Sequence, residues 1–219
     1  THLDEKNNRL DNQAFLGAKA YFLKQIISRN FPVPKGFVFT TELFRYREAF
    51  LKHSAMSKEI DQMICRNIEI LEKKYPQKFG DPQNPLLLSV RSGAPLSMPG
   101  AMNTFLNIGM NDELTESLSQ KPNFHWTAWD CYRRLLQSWG MAFGINRDVF
   151  DQLILDFKHR YSVQLKIEFT PQQMREIAFA YKTVLADHQV CFEQDLYKQV
   201  RVALRNVIHS WDTDRAILY

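Results

Sequence analysis

Cysteine is scarce in this chain of 219 residues: Cys65, Cys131 and Cys191 stand far apart, odd in number and outside any CxxC pair. That excludes a disulfide scaffold and a four-cysteine metal knot, and it points to a reducing, cytoplasmic compartment. A chain of this length buries a core without cross-links. Glycine is also low, at eight residues, with no Gly/Ser linker and no internal repeat, which argues against a low-complexity chain. No apolar run approaches the roughly 20 residues of a membrane span. The opening THLDEKNNRLDNQ is too polar for a secretory signal, so no membrane association is expected. The two commonest glycine-rich phosphate loops, GxGxxG and GxxxxGK[ST], are both missing. The six histidines form no HxH or HxxxH pair, and no metal ligand is expected among them or the cysteines. No charge of one sign dominates: the net +4 comes from Lys and Arg interleaved with Asp and Glu. Clustered basic stripes would suggest nucleic acid, and none is expected as a partner.

What is present reads as α+β and helix-rich. Ala20, Phe22, Leu23, Ile26 and Ile27 recur at spacings of three and four, predicting an amphipathic helix over 17–29. FPVPKGFVFTTELF predicts a proline-set turn, a short strand over 37–39 and a threonine N-cap for a helix over 42–53. A further helix over 57–75 carries Ile60, Ile64, Ile68 and Leu71 on one face. Leu86 to Arg91 is an apolar run ending in a charge, expected as a buried strand that delivers Arg91 to a site. Residues 102–108 are the expected returning strand. Helices follow over about 113–119, 126–143, 147–161, 170–187 and 192–208, with Thr170-Pro171 as a cap and first-turn proline. The expected organisation is an α/β part over 1–112, a helical insertion over 113–197 and a return segment over 198–219.

The chemistry concentrates between the two strands. Gly93 and Gly100 let backbone approach a ligand, Ser92 and Ser97 offer hydroxyls, and Arg91 can bridge two phosphate oxygens. An ordinary surface arginine beside a glycine-containing turn accounts for this pattern about as well. Lys19 lies at the start of the first helix, where the dipole favours anions, so a bound phosphate shared by the helix amides and the lysine explains it. A solvated surface lysine is the commoner case. Arg133 and Arg134 are expected on a solvated helix edge or as interface charges rather than as an anion site, and the four tryptophans in core packing.

The stretch LSVRSGAPLSMPGAMNTFLNIGMND, residues 88–112, resembles the signature of pyruvate, phosphate dikinases. LGAKAYFLKQI is similar to that family's Gly-Gly-Lys-Gly helix start, FPVPKGFVFTTE to its PVPPGFTITTE strand, WDCYRRLLQSWG to its YRR helix and SWDTDRAILY to its SWDNPRAIVY. Phosphoenolpyruvate synthases and rifampicin phosphotransferases read more like AVRSSATAEDLPDASFAGQ here, so the dikinase branch fits better.

The resemblance implies the first part of an ATP-grasp nucleotide-binding domain, with a small sheet and a helical insertion. It implies that Lys19 and Arg91 grip ATP phosphates, with Arg91 catalytic, and that Ser97, Met98, Gly100 and Thr104 contact the nucleotide. Family chemistry converts ATP, phosphate and pyruvate to AMP, pyrophosphate and phosphoenolpyruvate through a phosphohistidine on another domain. Magnesium is the expected cofactor, with its ligands outside this chain, and a homodimer is the expected assembly of the full-length protein. Two departures matter: Gly17-Ala18-Lys19-Ala20 lacks the glycines around the lysine, and SMPGAMNT carries Asn103 where the family has an acid. A stand-alone binding or regulatory module, or a phosphotransferase with a different acceptor, remain alternatives.

Overall fold

Asn12 opens the first helix, α1 (Gln13–Ser28), its side-chain oxygen accepting from the amide of Phe15 at 3.1 Å. The computed structural model describes residues 1–92 and 103–212, so Ser97, Met98 and Gly100 lie outside the described residues. By internal packing the chain divides into two units. The first holds the described residues of Thr1–Pro76, Arg91–Asn103 and Arg201–Tyr219; the second holds Gln77–Val90 and Thr104–Val200.

In the first unit, α1 starts a turn earlier than expected, and Gly17 interrupts it with φ 74° and ψ 158°. Only glycine adopts that backbone without strain. The helix resumes over 18–28. Leu16, Ala20, Leu23 and Ile27, spaced by four, three and four, form the stripe that packs with Leu3, Tyr21 and Val38. Phe22 and Ile26, expected on the buried face, fall on a neighbouring stripe and are exposed. Gly17→Ala is therefore expected to destabilise the chain by about 1–3 kcal/mol. Urea unfolding would measure it, and an unchanged midpoint would show that the turn relaxes freely.

The strand expected over 37–39 is a single bridge between His2 and Phe37, because among the described residues no further segment pairs with it. Thr41 stands at the start of α2 (Glu42–Arg45) but does not cap it. Its hydroxyl donates instead to the Ala14 carbonyl at 2.6 Å. The helix expected over 42–53 is accordingly broken at Tyr46 into α2 and α3 (Arg47–Lys52). The next helix, α4 (Ser54–Lys74), buries Ile60, Ile64, Ile68 and Leu71 as the spacing required.

The second unit is built on two paired strands, β1 (Leu88–Arg91) and β2 (Thr104–Ile108). Arg91, the last residue of β1, groups with the first unit. The expected fully buried β1 is half-buried at Leu88 and Val90 and exposed at Ser89 and Arg91. A two-stranded sheet covers one face only, and β2 supplies the core with Phe105 and Ile108. Around it lie α5 (Asp112–Ser119), α6 (His125–Ala142), α7 (Arg147–Tyr161) and α8 (Pro171–Asp187). The cap of α8 is reciprocal: Thr170 Oγ1 accepts from the Gln173 amide, and Gln173 Oε1 from the Thr170 amide. Gly140 gives α6 its close approach to neighbours, since a β-carbon there would lie 2.6 Å from Phe150 Cζ and 2.7 Å from Leu185 Cδ2. The last helix, α9 (Leu196–His209), begins four residues later than expected. Phe192 packs instead on the rings of Tyr132 and Trp139, and Trp139 Nε1 donates to the Cys191 carbonyl.

Trp129 and Trp139 are buried as expected, and the half-buried Trp211 stacks on Phe44 with ring centroids 4.8 Å apart. Arg133 is a correction: it is 4% exposed, not a solvated edge. Among the described residues no helix is long and apolar enough to cross a membrane. All three cysteines are free.

Candidate functional site

Two cations of the first unit stand out. Gly17's break puts Lys19 in the opening turn of the resumed helix, exposed, while β1 ends on the exposed Arg91. Desolvation and then the charge of Arg91 pull the Lys19 ammonium below its ordinary value. Like charges held together are relieved by an anion between them, and a helix start adds its dipole to the attraction. Among the described residues no carboxylate forms an ion pair with Lys19 or Arg91. Among the described residues the pair is cationic and uncompensated.

The departures from the family pattern have visible local consequences. The Ala20 methyl packs into the cluster with Leu3 and Leu16, so its β-carbon is spent in the core. Asn103 Nδ2 donates to Asn206 Oδ1 of α9 at 2.6 Å. Thr104 opens β2, half-buried. The charge of Arg91 thus acts on Lys19, while Ser97, Met98 and Gly100 lie outside the described residues.

Among the described residues, His2, Asp4 and Glu5 bring ligand-type atoms within 4.8 Å of one another. Lys74 already answers the two carboxylates, its Nζ lying 2.8 Å from Asp4 Oδ1 and 3.3 Å from Glu5 Oε1. Burial works to raise the Asp4 carboxyl, but the hydrogen bond from Lys74, a backbone hydrogen bond and the charges of Lys74 and Lys35 together outweigh it and hold the group below its usual range. A dication would have to displace that ammonium, with Lys24 hydrogen-bonded to the backbone of the same segment.

A charged centre that sequence reading missed lies in the second unit. Asp130, buried, receives Arg133 Nη2 and Arg134 Nε, each at 2.8 Å, and Lys166 at 3.5 Å. Arg133 also donates to Gln137 at 3.1 Å and stacks over the Tyr181 ring, whose hydroxyl donates to the Phe150 carbonyl. Burial raises the Asp130 carboxyl, yet Arg133, Lys166 and Arg134 together hold it below the usual carboxylate range. The available signal was the spacing Asp130, Arg133, Arg134, which places all three on one helix face.

With this geometry in hand, comparison with known proteins is decisive. Residues 46–219 match the family described as pyruvate phosphate dikinase, AMP/ATP-binding domain. The chain belongs to this family. Pyruvate, phosphate dikinase of Entamoeba histolytica is 36% identical over 95% of the chain, and that of Giardia intestinalis 35% over 93%. The enzyme of Clostridium symbiosum is 34% identical over 99% of the chain, a span that takes in Lys19. The chain covers 24%, 23% and 25% of these relatives respectively, about a quarter of their length. Arg91 lies inside the matched region, and Lys19 precedes it.

Proposed function

We propose that Lys19 and Arg91 bind the phosphates of ATP, and that this chain is the nucleotide-binding part of a pyruvate, phosphate dikinase-like phosphotransferase. The carrying observation is the exposed cation pair, without a carboxylate partner among the described residues, in a chain of the AMP/ATP-binding family. Phosphoryl transfer depends on positioning and charge neutralisation, which a lysine and an arginine supply. In the whole protein the reaction is ATP, phosphate and pyruvate to AMP, pyrophosphate and phosphoenolpyruvate, through a phosphohistidine on another domain. Arg91 takes the catalytic part by holding the transferring phosphate, with Ser97, Met98, Gly100 and Thr104 as further nucleotide contacts. Magnesium accompanies the nucleotide, and its protein ligands lie outside this chain. The setting is cytoplasmic, with a homodimer as the assembly of the full-length protein. In this reading 1–112 is the α/β subdomain, 113–197 its helical insertion and 198–219 the returning segment.

Titrating ATP and then adenosine into the chain by calorimetry tests the reading. Binding should be weak, since nucleotide contacts in such clefts are shared, and it should depend on the phosphates. Equal affinity for adenosine would overturn it. Asn103, neutral where the family carries an acid, favours a second reading as a binding module without chemistry. That module would bind ATP and leave it intact in the full-length protein, whereas the dikinase reading requires phosphoenolpyruvate to form from pyruvate. A different phosphoryl acceptor is the remaining alternative for the whole protein.

A further inference from the structure

Half-buried asparagines ordinarily hydrogen-bond to water, so a side-chain bond spanning 103 residues of sequence is a specific structural choice. Asn103 Nδ2 donates to Asn206 Oδ1 at 2.6 Å. Asn206 sits on α9 between two anchors: Arg201 Nη1 to Asp61 Oδ2 at 2.8 Å, and Arg205 Nη2 to the Leu51 carbonyl at 2.9 Å. Leu204, Val207 and Ile208 around it are buried. Asn103 directly precedes β2, just as Arg91 ends the strand paired with it. The bond thus ties Asn103 to an anchored stretch of α9.

We infer that Asn206 is a positioning residue for the nucleotide site, holding Asn103 at the base of β2 through a neutral amide pair. The inference rests on the proposed binding of ATP phosphates by Lys19 and Arg91. Charge explains why the pair is neutral. A carboxylate at 103 would face the Asn206 carbonyl oxygen, two acceptors in contact, until the Asn206 amide turned over to donate. Amides at both positions also add no negative charge to the unit that holds the Lys19–Arg91 pair.

Three variants of the chain separate this from a structural role: Asn206→Leu removes the acceptor, Asn206→Asp keeps it, and Asn103→Asp with Asn206→Asp sets two carboxylates against each other. Amide hydrogen exchange at 103–108 reports the pairing, and ATP titration reports the site. Asn206→Leu should speed that exchange and weaken ATP binding by about 2- to 10-fold, the worth of one hydrogen bond, and Asn206→Asp should restore both. The double carboxylate should bind poorly at pH 8 and recover toward pH 5, as one proton shared between the acids rebuilds the bond. Unchanged exchange in Asn206→Leu overturns the inference whatever ATP does. Faster exchange with unchanged ATP affinity overturns the positioning role. If the native chain shows no preference for ATP over adenosine, the nucleotide reading falls and the positioning role falls with it.

Discussion

Asp130→Ala is expected to destabilise the second unit by about 3–5 kcal/mol, because it leaves the Arg133 guanidinium buried without a counter-charge. Side-chain exposure is 5% for both Asp130 and Arg133, so water cannot replace the lost partner. Removing both charges is different: a paired replacement of Asp130 by Leu and Arg133 by Met should recover much of the loss, since two buried charges cost more desolvation than an apolar pair. Arg134, half-exposed, and Lys166 would then face solvent. The pH dependence follows from the sign of the shift. The Asp130 carboxyl is lowered in the folded chain, so its contribution is complete above the unfolded carboxyl value of about 3.9 and is lost as pH falls through the lower folded value. Urea midpoints between pH 7 and pH 3 should therefore decline in the native chain, and less steeply in Asp130→Asn. Equal slopes would show that Asp130 is not the group responsible.

This charged centre also marks where the sequence stopped being informative. The helices over 54–74, 147–161 and 171–187 were legible because caps and apolar spacing are local features, as with the ladder of Ile60, Ile64, Ile68 and Leu71 in the first and with Asn146 and Thr170-Pro171 at the starts of the others. Arg133 was not, because burial of a charge depends on Tyr181 and Lys166, many residues away, and an Arg-Arg dipeptide on an aromatic helix reads as amphipathic surface. The strand expected over 37–39 failed for a similar reason: apolar alternation licenses a strand only if another segment pairs with it, and among the described residues only the bridge to His2 does. Thr41 shows local chemistry overruled by a distant acceptor, the Ala14 carbonyl. For the candidate site, motif resemblance supplied Lys19 and Arg91, and the fold contributed what no motif states: the charge of Arg91 acting on the Lys19 ammonium, and Ala20's methyl turned into the core.

Arg91→Met is expected to weaken ATP binding by about 10- to 150-fold, the worth of a charged hydrogen bond to phosphate, without loss of stability. Arg91→Lys should recover only part of this, because an ammonium keeps the charge but not the two-pronged grip on phosphate oxygens. Lys19→Met should weaken binding comparably, and both effects should shrink as salt screens the exposed charges. The decisive companion measurement is the Lys19 titration by NMR. Desolvation and Arg91 both lower that ammonium in the native chain, so Arg91→Met should move its pKa upward, toward the ordinary lysine value. The thermal midpoint should hold or rise, because the variant removes a repulsion that the empty site carries; binding sites commonly sacrifice stability in this way. A fall in both affinity and midpoint would make Arg91 a structural residue, and a Lys19 titration indifferent to Arg91 would separate the two cations that the proposed phosphate grip requires to act together.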